Sequence, residues 1–174
     1  MKNGAAGSDI SSSLDNLRTD VRGVIGEVRD TLYDLRTDVS ESQDLLETLE
    51  LFLARVRQRN ADLDIQMRAD SRGRLPIPQE RELFRIAQEA LVNVERHAKA
   101  RRVEVRWRCD GRSAALEIID DGEGFPQGKA GRLDSYGMIG MRERASSIGA
   151  TLDIISAPGK GTAVRCMLSA AAVA

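Results

Sequence analysis

Apolar residues recur along the chain with two different periods, and the changes of period mark its elements. Leu14, Leu17, Val21, Val24, Val28, Leu32 and Leu35 fall at helical steps of three and four, a narrow seam of coiled-coil type. Gly23 and Gly26 weaken this helix, each by about 1 kcal/mol against alanine, so it is expected to need a partner. A homodimer through residues 14–35 would supply one, although a helix packed on its own domain would show the same pattern. A second helix over about residues 40–58 carries Leu45, Leu46, Leu49, Phe52, Leu53 and Val56 on a stripe broad enough for a globular core, with Ser40 and Glu41 as its start signal.

Period two then takes over. Leu63, Ile65 and Met67 alternate with polar residues as a half-buried strand, ending in the turn Asp70-Ser71-Arg72-Gly73. Beyond Pro76 and Pro78, a helix over about residues 79–98 buries Leu83, Ile86, Ala87, Ala90, Leu91, Val94 and Ala98. Val103, Val105, Trp107 and Cys109 share one strand face, and Leu116 and Ile118 share another that continues in register to Asp120. The turn Asp110-Gly111-Arg112 joins the two as an antiparallel hairpin. An aperiodic stretch after Phe125 and Pro126 runs into Gly137 and Gly140 at an expected helix start. That helix continues through Ala145 and Ile148 to Gly149, and strands 151–156 and 162–168 close on Gly159-Lys160-Gly161.

Composition narrows the function classes. The 174 residues can bury one ordinary core, and 26 basic against 27 acidic residues leave a net charge of -1 with no polybasic arm for nucleic acid or anionic lipid. Cys109 and Cys166 lack metal-site spacing and read as buried strand residues of a reducing compartment. Neither a run of about 18 apolar residues nor a signal peptide occurs, so a cytoplasmic location is expected, with any membrane anchor outside this chain.

Candidate chemistry gathers in the second half. Glu89, Asn93 and Arg96 recur at helical spacing with His97 one step round, projecting from one side of their helix. A solvated stripe ending in a basic residue would look the same. Asp120 is more unusual, because period-two alternation puts its carboxylate on the inward side with Leu116 and Ile118. Such a group needs a donor, for which the exocyclic amine of an adenine would serve. Gly122 and Gly124 would then clear space for a nucleotide or its covering loop, although a plain turn rich in Asp and Gly remains the alternative. Glycines at a helix start can offer backbone N–H groups to phosphates.

In order, these segments resemble the ATP-binding domain of bacterial sensor histidine kinases, in the branch paired with nitrate-response-type regulators. Residues 88–98 (QEALVNVERHA) are similar to the asparagine box, 120–125 (DDGEGF) to the first glycine box, 137–144 (GMIGMRER) to the second, and 159–164 (GKGTAV) to the closing Gly-Thr element. Ser135 stands where the second box usually has its first glycine, and Ala150 where a glycine is frequent. The resemblance covers residues 40–169, and residues 28–36 are similar to the end of a second dimerisation helix.

The resemblance implies an N-terminal tail and partial dimerisation helix over residues 1–38 and a catalytic domain over 39–174. The implied fold is an α/β two-layer sandwich of the Bergerat type, a mixed sheet of about five strands with three helices on one face, preceded by a long helix. It implies ATP and Mg²⁺ as ligands, with Asn93 on Mg²⁺, Asp120 on the adenine, Arg96 and His97 near the phosphates, and Glu89 polarising a water. Gly122, Gly124, Gly137, Met138, Gly140, Met141 and Thr162 would complete the nucleotide site, and residues between Phe125 and Tyr136 would form a lid. The implied reaction transfers the γ-phosphoryl group to a histidine on a dimerisation helix, for relay to a response regulator. His97 is the chain's one histidine and falls inside the asparagine box, so the acceptor helix is expected to lie outside this chain. A non-catalytic nucleotide-dependent interaction module and an anti-sigma-type serine kinase are the alternatives.

Overall fold

A computed structural model of the chain describes residues 39–126 and 134–169. The coiled-coil seam and most of the expected lid lie outside these residues. Within them run helix α1 (Leu45–Arg59), strand β1 (Asp64–Ser71), helix α2 (Ile77–Asn93) with a π-helical turn (Val94–Ala98), and strands β2 (Arg102–Cys109) and β3 (Ala114–Asp120). Helix α3 (Asp134–Ser147) and strands β4 (Thr151–Ser156) and β5 (Thr162–Leu168) complete the order. None of the described helices is long and apolar enough to cross a membrane.

The strands form one sheet in the order β1-β2-β3-β5-β4. Only β1 and β2 are parallel; the remaining pairs are antiparallel, so the sheet is mixed as expected. Strand alternation sorts its two faces. The inward side chains of Val103, Val105, Trp107, Leu116, Ile118, Val164 and Cys166 are buried with Leu49, Phe52, Leu83, Phe84, Ile86 and Leu91 of the helices. Phe52 meets Phe84 edge to face across α1 and α2, with centroids 5.8 Å apart. On the other face Arg68 and Arg106 both hold Glu104, at 3.0 and 2.7 Å, and Arg106 reaches Glu117 at 3.4 Å. Both cysteines are buried strand residues.

Local chemistry corrects two boundaries. Helix α1 begins after Asp44, not at Ser40 and Glu41, because the Asp44 carboxylate accepts the Glu47 N–H at 2.9 Å and satisfies an otherwise orphaned donor. Ser40 instead pairs its backbone with Gln43. Strand β1 continues through Ser71 rather than turning at Asp70, since its parallel register runs on to Ser71 opposite Cys109. Pro76 precedes α2, with Pro78 in the first turn where a missing N–H costs nothing.

Segment 39–43 is tied to the domain by arginines. Arg74 donates to the Glu41 carbonyl at 2.8 Å and to that of Ser40, while Arg81 donates to the Val39 carbonyl at 3.0 Å. Buried Glu80 holds Arg74 in place through a 3.0 Å ion pair and also accepts the Leu75 N–H at 3.2 Å. Burial raises the Glu80 carboxyl above its ordinary value, and the Arg74 hydrogen bond and charge oppose the rise.

Candidate functional site

The inward face of the sheet changes character at one end. Asp120, Thr162 and Ser156 stand in register across β3, β5 and β4, and the next row inward is Ile118, Val164 and Ile154. A polar row therefore borders an apolar one. Above both lies a cavity of about 250 Å³, walled by Asn93, Val94, His97 and Ala98 of α2 and its π turn, by Met138 and Met141 of α3, and by Gly124 and Phe125.

Asp120 closes the sheet side. Its side chain is buried, and its Oδ1 accepts the Gly122 N–H at 2.8 Å. Burial raises the carboxyl above its ordinary value, while the Gly122 and Thr162 backbone N–H groups pull it down and the Asp121 charge adds to the rise. The donor that this inward carboxylate requires is thus partly supplied by its own turn. Asp121 works outward, its Oδ1 accepting the Arg101 and Arg102 N–H groups, each at 2.8 Å, and fixing the start of β2.

On the helical side the π turn rearranges the expected stripe. Helix α2 is α-helical only to Asn93, and the wider i→i+5 turn from Val94 to Ala98 changes the direction of everything beyond it. Asn93 and His97 line the cavity, whereas Arg96 is exposed outside its lining. Glu89 and Asn93 keep their α-helical spacing, and of the expected stripe only Arg96 falls within the π turn. The Asn93 side chain does not cap the π turn, and Lys99 ends it in the left-handed region at φ 49°.

The glycines divide by what they touch. A Cβ on Gly122 would come within 2.8 Å of the Ala98 carbonyl carbon and of the Ala98 Cβ, and the next residue, Glu123, donates its N–H to the Ala98 carbonyl at 2.7 Å. Gly122 is absent from the cavity wall; its lack of a side chain lets the chain after β3 close on the π turn, whose Ala98 lines the cavity. Gly124 does line the cavity, at φ +59°, a conformation few other residues adopt, and a Cβ there would approach the Gly161 carbonyl oxygen to 2.8 Å. Helix α3 starts at Asp134, so Gly137 and Gly140 lie within it instead of opening it. The Gly137 backbone packs on the Glu89 carboxylate, where a Cβ would lie 3.0 Å from Glu89 Cδ; around Gly140 there is open space.

Of the twelve expected site residues, Asn93, His97, Asp120, Gly124, Met138, Met141 and Thr162 are thus brought to one cavity, while Glu89, Arg96, Gly122, Gly137 and Gly140 stand outside its lining. Two kinds of residue escaped the sequence reading. Ile118, Ile154 and Val164 read only as core. Ser156 is a buried polar residue ending an inward row of β4, the same signal that singles out Asp120. Among the described residues no group of three metal-ligating side chains occurs.

Comparison with known proteins bears on the same region. The family described as histidine kinase-, DNA gyrase B-, and HSP90-like ATPase matches residues 79–172. The chain is 40% identical over 141 residues to the sensor histidine kinase LiaS of Bacillus subtilis, an alignment covering 79% of this chain and 38% of LiaS. It is 32% identical over 150 residues to the signal transduction histidine-protein kinase/phosphatase DegS of Brevibacillus brevis, covering 86% of this chain and 38% of DegS. The chain therefore spans well under half the length of these relatives. The histidine kinase domain of the Erythrobacter litoralis blue-light activated histidine kinase shares the fold, with a TM-score of 0.59 at 20% identity over 77% of this chain and 66% of that one. These relatives do not favour a serine kinase or a non-catalytic module. The chain belongs to the histidine kinase-, DNA gyrase B- and HSP90-like ATPase family, and the relatives it matches over part of their length are sensor histidine kinases.

Proposed function

We propose that this chain binds ATP with Mg²⁺ and presents the γ-phosphoryl group to a histidine on a dimerisation helix of the full-length kinase, for relay to a response regulator. The observation that carries the reading is the buried Asp120 carboxylate at the floor of a cavity whose opposite wall bears Asn93 and His97. A flat heteroaromatic base suits apolar walls of Ile118, Met138, Met141, Ile154 and Val164 with one acceptor at the end. Asp120 accepts the exocyclic amine there, and Thr162 stands beside it.

The donor set also fits Mg²⁺, which is commonly held by one or two protein oxygens together with phosphates and water. Asn93 offers a carboxamide oxygen on the cavity wall, and no cluster of carboxylates competes for the ion among the described residues. When bound, Mg²⁺ neutralises charge on the transferring phosphoryl group. His97 and the neighbouring Arg96 provide cationic or hydrogen-bonding groups toward the phosphates, and the first turn of α3, which ends at Gly137, provides backbone N–H groups. Glu89 lies against Gly137, close enough to that turn to polarise a water. Phosphoryl transfer asks mainly for positioning and charge neutralisation, so these parts suffice without a covalent step on this chain.

Calorimetric titration with ATP and Mg²⁺ tests binding, and incubation with labelled ATP with and without an acceptor-helix fragment tests transfer. Asp120→Ala and Asn93→Ala should each weaken binding, and label should appear only on the added fragment. Unchanged affinity in both variants overturns the site, and label on this chain alone overturns the transfer reading.

A further inference from the structure

The polar row beside the cavity contains a fully committed hydroxyl. Ser156 Oγ–H donates to the Gly161 carbonyl at 2.9 Å, and the same oxygen accepts the Phe125 N–H at 2.9 Å. The Thr162 hydroxyl is 3.0 Å away. A serine hydroxyl has one proton and two lone pairs. With its proton on Gly161, Ser156 can meet Thr162 only as an acceptor, so the Thr162 proton points back at Ser156. What Thr162 offers the cavity is then lone pairs, next to an Asp120 carboxylate that is acceptor-only when ionised.

We propose that Ser156 is a positioning residue that fixes the hydrogen-bond polarity of the base-reading end, making Asp120 and Thr162 a joint acceptor surface. With the six-position substituent of the base placed against this surface, the two protons of adenine's amine meet both acceptors, whereas guanine's carbonyl there meets acceptor against acceptor and is disfavoured. The same hydroxyl also anchors the chain at Phe125, where the segment leading to α3 leaves the sheet. Ser156 reaches the ligand only through Thr162. Its burial, with three partners at ordinary distances, is what fixes the proton direction, since rotating the hydroxyl would strip Gly161 of its donor.

This inference rests on the nucleotide reading above, and its test separates the two. Affinities for ATP and GTP are measured with Mg²⁺ on the wild-type chain, Ser156→Ala, Thr162→Val and the double variant. In Ser156→Ala the Thr162 proton is free to turn into the cavity, so the preference for ATP over GTP should fall about five- to tenfold, the worth of one neutral hydrogen bond. Thr162→Val should lose a similar factor, and the double variant no more than either single one. An unchanged preference in Ser156→Ala, or losses that multiply in the double variant, overturns the proposal. Should Ser156→Ala fail to fold, an unchanged preference in Thr162→Val does so by itself. Amide exchange at Phe125 without nucleotide should quicken in Ser156→Ala but not in Thr162→Val; equal rates in wild type and Ser156→Ala overturn the hydroxyl junction. A wild-type chain that binds neither nucleotide overturns the nucleotide reading and the base preference with it, while the Phe125 amide still reports on the junction.

Discussion

Gly122 and Gly140 each belong to a glycine motif, yet the structure assigns opposite outcomes to replacing them with alanine. At Gly122 the new Cβ would lie 2.8 Å from the Ala98 carbonyl carbon and the Ala98 Cβ, parts of the backbone and a stub side chain that cannot swing away. The end of β3 must move off the π turn, which forfeits the Glu123 N–H to Ala98 carbonyl bond at 2.7 Å. One lost hydrogen bond at about 1 kcal/mol and an overpacking cost of about 1–3 kcal/mol give a destabilisation of about 2–4 kcal/mol. For a domain of this size that lowers Tm by about 6–12 °C. Gly140 is a helical glycine with nothing within 4 Å of an added Cβ, so alanine there relieves helix entropy. It should raise stability by about 0.5–1 kcal/mol. Thermal and urea denaturation of both variants measures the pair. A Gly122→Ala chain as stable as wild type, or a Gly140→Ala chain less stable, would refute the packing argument. Nucleotide titration on the same samples adds an independent readout: Gly122→Ala should bind more weakly, because the Gly122 N–H holds Asp120 and Ala98 lines the cavity.

Acid should act in two opposite steps. The Glu80 and Asp120 carboxyls are raised in the folded state, so protonating them as pH falls toward their unfolded values near 4.5 and 3.8 adds stability. Asp110 is held down to about 2 by the Ser113 and Arg112 N–H groups, so its contribution is present above its unfolded value of 3.8 and is lost as pH falls toward 2. Urea melts from pH 7 to pH 3 should therefore flatten on the mildly acidic side in Glu80→Gln; a slope equal to wild type would show that Glu80 is not the titrating group. Arg74→Ala should release segment 39–43 and leave Glu80 without its guanidinium, at a cost of about 2–3 kcal/mol for the charge-assisted bonds. Hydrogen exchange at Ser40 and Gln43, whose N–H groups pair within that segment, should accelerate, and unchanged protection there would contradict the clamp.

The inward placement of Asp120 was legible in the sequence because burial writes itself into strand alternation. Asp120 stands out for sharing a face with Leu116 and Ile118, and the structure buries it on that face, in register with Thr162. Strands β2, β3, β4 and β5 fall where the period-two segments lie, since their pattern reports a local property, which side of each residue meets the core. The same logic should have marked Ser156, which ends the inward series of Leu152 and Ile154, but a serine near a turn reads more readily as turn chemistry.

What the tertiary structure decided is of a different kind. The α-helical period carried through residues 79–98 gave no sign that hydrogen bonding widens after Asn93, where Arg96 is exposed within the π turn and outside the cavity lining. The glycine motifs announced close approaches without saying of what: Gly122 meets Ala98, Gly137 meets Glu89, and Gly140 meets nothing. The start of α1 likewise fell to Asp44 through one side-chain bond to Glu47 rather than to Ser40. Periodicity along a chain records which side of a residue is dry, and that much the sequence determined alone. Which backbone a glycine must admit, and where a hydroxyl proton points, depend on atoms distant in sequence, and only the closed fold brings those together.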